Sequence, residues 1–94
     1  MKEVKNQQMP AYIYIVRCRD LTLYTGWTND LKKRIASHLE GKGAKYTRGR
    51  IPVQLVYWEQ LPNANSAKKR ELEIKKLSRK QKEQLISTIQ IETN

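Results

Sequence analysis

Ala11-Tyr12-Ile13-Tyr14-Ile15-Val16-Arg17-Cys18 is an eight-residue run of β-branched and aromatic side chains with almost no polar interruption. Such a run fits a central strand with both faces covered. The period of two puts Tyr12, Tyr14 and Val16 on one face and Ile13 and Ile15 on the other. Arg19-Asp20-Leu21-Thr22 reads as a turn, and Leu23-Tyr24-Thr25 returns as a short partner strand, which gives a hairpin. Gly26 ends it, at a place where a side chain would cost space or a positive φ is needed.

Working outward, Thr28 or Asn29 can cap a helix running from about Asp30 to Glu40, with Asp30 at the positive end of the dipole. Leu31, Ile35 and Leu39 supply its buried stripe, and Gly41 and Gly43 stop it. Residues 41 to 52 read as a basic, glycine-bearing loop. A third strand is expected over Val53 to Glu59, with Pro52 at its start. A second long helix covers residues 65 to 77. Ser78-Arg79-Lys80-Gln81 is a capping box that opens a third helix, whose apolar contacts are Leu85, Ile86 and Ile89. The order β-β-α-β-α-α predicts a small α/β or α+β fold, a sheet flanked by helices. Residues 1–9 are polar and expected to be a disordered tail, leaving a single domain over 10–90.

The 94 residues carry 19 Lys and Arg against 9 Asp and Glu, a formal net charge of +10. That field favours a polyanion, with nucleic acid as the default partner. One basic group comprises Lys32, Lys33, Arg34, Lys42, Lys45, Arg48 and Arg50. A second comprises Lys68, Lys69, Arg70, Lys75, Lys76, Arg79, Lys80 and Lys82. Together they hold 15 of the 19 basic residues, enough for one or two patches. Cys18 is the single cysteine, which excludes a disulfide framework or a zinc knuckle. No signal-peptide h-region and no membrane-length apolar run are present, so a reduced, cytoplasmic protein with no membrane partner is expected.

Four kinds of residue could carry chemistry. Glu71 falls on the helix face of Ala64, Ala67 and Ile74, which should meet the sheet. A carboxylate there needs a cation, a hydrogen bond or a metal, so an ion pair with Arg34 or Arg17 and a metal site both remain open. One carboxylate is enough for Mg²⁺ when a substrate phosphate supplies further oxygens. Arg34 and His38 lie one turn apart on one helix face. Arg34 suits a phosphate through its planar fork, or is a surface arginine beside Lys32 and Lys33. His38, the only histidine, is a proton-transfer candidate or a packed side chain. Tyr14 and Tyr24 are strand aromatics by composition, and phenols with a reference pKa of about 10 become useful only beside cations or a metal. Tyr46, within Lys45-Tyr46-Thr47-Arg48, is a candidate for stacking on a nucleotide.

Taken in order, Tyr-Ile-Tyr, Tyr-Thr-Gly, Thr-Asn-Asp-Leu-Lys-Lys-Arg, His38, Gly-Lys-Gly-Ala-Lys-Tyr-Thr-Arg, Ile-Pro-Val-Gln-Leu-Val-Tyr and Lys-Arg-Glu-Leu-Glu-Ile-Lys-Lys-Leu-Ser resemble the GIY-YIG nuclease superfamily from Tyr12 to about Ile86. The likeness is to its small, single-domain bacterial members. The resemblance implies a three-stranded antiparallel sheet flanked by helices. It also implies hydrolysis of phosphodiesters in DNA, or in RNA as the second choice, with one divalent metal, Mg²⁺ or Mn²⁺. By position it makes Tyr14, Tyr24, Arg34 and His38 catalytic, Glu71 the metal ligand and Gly26 the structural glycine. Lys33, Lys42, Lys45, Tyr46, Arg48, Lys68, Lys69 and Arg70 are the expected nucleic-acid contacts. Tyr12 stands at the glycine of the first motif, Thr25 at an aliphatic position of the second, and Trp27 where a smaller or basic residue is common. With no appended module, sequence specificity is expected to be low. The alternatives are a non-catalytic nucleic-acid-binding module of the same fold and an interaction subunit of a larger repair or RNA-processing assembly.

Overall fold

In the computed structural model, which describes residues 9–89, the hairpin forms as the alternation demands. Strand β1 (Ala11–Arg17) pairs antiparallel with β2 (Leu23–Thr28), and Tyr14 lies opposite Gly26. The turn between them closes through Cys18 N–H to Thr22 O at 2.9 Å, and the Asp20 carboxylate accepts from the Thr22 amide and hydroxyl. Strand β3 (Gln54–Leu61) pairs antiparallel with the other edge of β1, giving the order β2-β1-β3. A bulge shifts its register between Ile15 and Val16, so Val56 is the extra residue. The result is a three-stranded antiparallel sheet with helices on both faces.

The two faces of β1 separate as its alternation predicts. Ile13, Ile15 and Ala11 join Tyr57, Ala67 and Ile74 in one core, under helices α3 (Ala64–Lys75) and α4 (Arg79–Ile86). Tyr14, Val16, Cys18 and Val53 form the other core with Leu31 and Ile35 of helix α1 (Leu31–Leu39). Trp27 packs against the first of these cores, half-buried, with Lys68 Nζ 5.5 Å from its ring centre.

Several boundaries differ from expectation, each for a local reason. The cap of α1 is Asp30, not Thr28 or Asn29, because its carboxylate accepts from Lys33 N at 3.1 Å. Thr28 Oγ1 instead accepts from the Asp30 amide, and Asn29 donates to Pro10 O. Asn63 caps α3 by accepting from Ser66 N, and the capping box at Ser78 and Gln81 opens α4 as expected. The loop after α1 contains a short helix, α2 (Lys45–Arg48). Leu39 does not complete a buried stripe. It is 54% exposed, because α1 turns His38 inward in its place. The tail expected over residues 1–9 lies, Met9 apart, outside the described residues. Among those described, no helix is long and apolar enough to cross a membrane.

Thr25 lies on the α3 side of the sheet, 4% exposed, and its hydroxyl finds no hydrogen-bond partner among the described residues. Burying such a group costs about 1–3 kcal/mol. In urea titrations Thr25→Val should therefore raise stability by about 1 kcal/mol, whereas Ile74→Ala should lower it by about 2–5 kcal/mol. A destabilised Thr25→Val would show that the hydroxyl is hydrogen-bonded in solution.

Candidate active site around Tyr14

Tyr14 sits on the central strand with 0% exposure, yet its phenol oxygen is polar and has to be paired. Helix α1 supplies both partners from one face. Arg34 Nε donates to the hydroxyl at 3.2 Å, and His38 Nε2 lies 2.8 Å from it. The guanidinium gains from Tyr14 and Tyr24 and is held above its ordinary pKa. Burial pushes the Tyr14 phenol up, Arg34 opposes that push, and the charge of Glu71 adds to it. So Tyr14 stays protonated at neutral pH and keeps its proton to give.

His38 is equally buried. Burial, and then the charge of Arg34, pull its pKa from 6.5 down to about 4, so the imidazole is neutral near pH 7. Its ring lies 5.5 Å from Tyr14 and 5.6 Å from Tyr24. The loop following α1 folds back to meet it. Gly41 takes φ +76 and turns the chain, and Thr47 of α2 brings Oγ1 to 2.9 Å from His38 Nδ1. Gly43 lies so close to the ring that a Cβ would fall 2.2 Å from Nδ1. At Gly26 a Cβ would fall 2.6 Å from the Tyr14 hydroxyl, so the glycine opposite Tyr14 leaves room for the phenol.

Tyr24 is half-buried 6.4 Å from Tyr14, and Tyr46 stacks on it at 5.8 Å with the rings 26° apart. The Arg50 guanidinium lies 4.0 Å from the Tyr46 ring centre, and Arg50 Nε is 3.0 Å from Asp20. Tyr46 is thus engaged by both Tyr24 and Arg50, which limits the stacking expected of it.

Glu71 is 17% exposed on α3 and pairs with Lys75 Nζ at 3.3 Å, one turn along its own helix. Neither ion pair considered from the sequence is made. Arg17 forks onto Glu83 at 2.8 and 3.0 Å, and Arg34 is on Tyr14. Among the described residues, no three His, Cys, Asp or Glu side chains gather as a metal cage. The basic residues divide in two. Lys33, Lys42, Lys45, Arg48, Lys68 and Lys69 are exposed. Lys33 and Arg34 line one shallow depression with Thr28, Asp30 and Ser37. Arg70 is committed instead to Glu59 at 2.8 Å and to Glu73 at 3.0 Å. A larger groove, lined by Tyr12, Leu31, Ile35, Leu39, Leu55 and Trp58 among others, runs along the other flank of α1 and includes none of the cluster.

Tyr14, Tyr24, Arg34 and His38 therefore converge, and Glu71 acts on Tyr14 by its charge. Sequence reasoning missed Thr47 and Gly43. Only a histidine already known to be buried would signal them, since it needs a partner for each ring nitrogen and close approach of backbone to a ring favours glycine.

Residues 10–84 match the GIY-YIG catalytic domain, and the chain belongs to that family. It is 61% identical over 77 residues to a UPF0213 protein of Clostridium perfringens, covering 82% of this chain and 83% of that one. The solution structure of a UPF0213 protein from Bacillus halodurans is 50% identical, with a TM-score of 0.56 over 85% of each chain. A solution structure from E. faecalis is 34% identical, with a TM-score of 0.57 over 100% of this chain and 99% of that one.

The depressed pKa makes a sign-specific prediction. Between about 4 and 6.5 the unfolded chain binds a proton at His38 that the folded protein refuses. Stability from this group is therefore complete above 6.5 and falls as the pH drops towards 4. NMR titration of this single histidine should give a midpoint near 4, and a midpoint near 6.5 would contradict the buried, hydrogen-bonded ring.

Proposed function

We propose that this protein is a divalent-metal-dependent endonuclease of low sequence specificity that hydrolyses phosphodiester bonds in DNA, with RNA as the second candidate. The observation that carries this reading is the buried Tyr14 hydroxyl, bound at once by Arg34 and by a neutral histidine. Arg34 spends Nε on Tyr14 and also interacts with Tyr24, and the rest of its fork would meet a phosphate in the depression it shares with Lys33. There it stabilises charge developing on the phosphate oxygens.

Tyr14 alone is a poor base, because its pKa is raised. Coupled to His38 it can act once substrate binding opens its hydroxyl, buried in the free protein, to the attacking water. As a water attacks phosphorus, the bond from phosphorus to the leaving sugar oxygen breaks and that oxygen takes a proton from solvent. The water's proton passes to the Tyr14 oxygen while the Tyr14 proton crosses the 2.8 Å hydrogen bond to His38 Nε2. Tyr24, packed against both rings, would orient the water or the phosphate.

Glu71 is the residue that would hold the metal. A mostly buried carboxylate whose ion pair among the described residues is a single half-exposed lysine suits a hard cation that keeps waters and takes phosphate oxygens for the rest of its shell. Bound Mg²⁺ or Mn²⁺ would supply Lewis-acid charge opposite those oxygens. Lys42, Lys45 and Arg48 on the loop, and Lys68 and Lys69 on α3, would carry the flanking backbone electrostatically.

Purified protein is incubated with labelled single-stranded and duplex DNA and RNA, with Mg²⁺, Mn²⁺ or chelator. Cleavage that disappears in chelator and in Glu71→Ala is expected. Metal-independent binding with no product at protein excess would sink the enzyme reading and leave a binding module. Arg34→Ala should lower the cleavage rate by about 100-fold or more while affinity changes little. An equal loss of both would place Arg34 in the binding surface only. Neutralising Lys68 and Lys69 should flatten the salt dependence of duplex binding by about 0.9 per lost contact. Arg70→Ala should act on stability instead, and a flattened salt slope in that variant would contradict its pairing with Glu59.

A further inference from the structure

A neutral imidazole carries one proton, and the nitrogen that holds it decides which nitrogen can accept another. At His38 the question is answered by the far side of the ring. Nε2 faces the Tyr14 hydroxyl at 2.8 Å, and Nδ1 faces Thr47 Oγ1 at 2.9 Å. Thr47 is fully buried, and its hydroxyl proton is already given to the Ala44 carbonyl at 3.0 Å. An oxygen whose only proton is committed can do nothing towards Nδ1 except accept. Nδ1 must then carry the proton, and Nε2 is left bare with its lone pair towards Tyr14.

The opposite tautomer is costly here. It would set the Nδ1 lone pair against those of Oγ1, or make Thr47 withdraw its hydroxyl proton from the Ala44 carbonyl, leaving that carbonyl only the Thr47 amide. A buried hydrogen bond left unmade is unfavourable. The ring has little freedom to escape by turning, since the Gly43 backbone closes on Nδ1 and Arg34, Tyr14 and Tyr24 surround the other edges.

We propose that Thr47 is a positioning residue that fixes His38 in the Nδ1–H tautomer, so that Nε2 is the acceptor for the Tyr14 proton. This rests on the nuclease reading for its catalytic consequence, not for its first measurement. It also gives the basic loop a second task. Thr47 lies between the exposed Lys45 and Arg48, so the segment offered to the nucleic-acid backbone also sets the proton acceptor.

His38 is the only histidine, so a long-range ¹H–¹⁵N spectrum of the labelled protein at pH 7 reads its two nitrogens without ambiguity. The expected pattern is a protonated Nδ1 and an unprotonated Nε2. Free histidine prefers the reverse, so a proton on Nε2, or two averaged nitrogens, in the wild type would overturn the proposal without any variant. Thr47→Ser should keep the wild-type pattern. Thr47→Val, if folded by circular dichroism, should relax towards the Nε2–H or averaged form, and retention of the wild-type pattern would overturn the assignment. In the cleavage assay Thr47→Val should fall by about tenfold or more at unchanged affinity, and Thr47→Ser should stay within about threefold. A folded Thr47→Val that has lost the tautomer but cleaves at the wild-type rate would overturn the positioning role. A wild type that never cleaves would sink the nuclease reading, and the tautomer spectrum would still decide whether Thr47 holds the ring.

Discussion

A phenol oxygen buried on the central strand of a sheet has to be hydrogen-bonded, and most of this molecule is arranged around meeting that demand at Tyr14. One lone pair takes Arg34 Nε–H and the proton goes to His38, which obliges α1 to present residues 34 and 38 to the sheet. A buried histidine then needs a partner for its second nitrogen, which brings the following loop back so that Thr47 can accept. The close approach of these groups excludes a Cβ at both Gly26 and Gly43. Sheet, helix and loop thus meet at one oxygen, and the loop's basic residues come to lie beside the site as a consequence.

Where the motif departs from its family pattern, the altered residues point away from that oxygen. Tyr12 packs edge-on to Trp58, with the ring centres 6.2 Å apart, and lines the groove on the other flank of α1. Thr25 lies opposite Ile15 in register and is buried on the α3 side. Trp27 joins the core beneath that helix. The hydroxyl cluster is intact in spite of them, because alternation sends Thr25 and Trp27 to the face opposite Tyr24 and Gly26, while Tyr12, on the same face as Tyr14, packs onto Trp58 instead.

Much of this was legible in the chain. The separation of Tyr14 from Ile13 and Ile15 followed from a period of two, and the start of α4 followed from a capping box. The convergence of the tyrosines with Arg34 and His38 was anticipated from the ordered motifs. What escaped were pairings set by three-dimensional competition. Leu39 had the right spacing for a buried stripe, but periodicity does not say which side of the stripe the sheet covers, and His38 took the inward place. Glu71 was recognisable as a carboxylate on an apolar face, while its cation was not. Arg17 found Glu83 across the fold, which left Lys75 on the same helix. Arg70 read as one cation in a basic run because Glu59 lies on a different element. Thr47 was hidden because a hydroxyl in a basic loop has no pattern of its own until the histidine it serves is known to be buried.

On the nuclease reading a substrate phosphate would sit at the Arg34 terminal nitrogens, beside the Tyr14 hydroxyl. The most direct measurement is a crystal structure of Glu71→Gln bound to a short oligonucleotide, a variant chosen to hold the strand uncut. The account predicts a backbone phosphate oxygen within about 3 Å of the Arg34 terminal nitrogens, with the phosphorus facing the Tyr14 and Tyr24 hydroxyls. A strand lying wholly in the groove of Tyr12 and Trp58, with Arg34 still turned only to Tyr14, would contradict it.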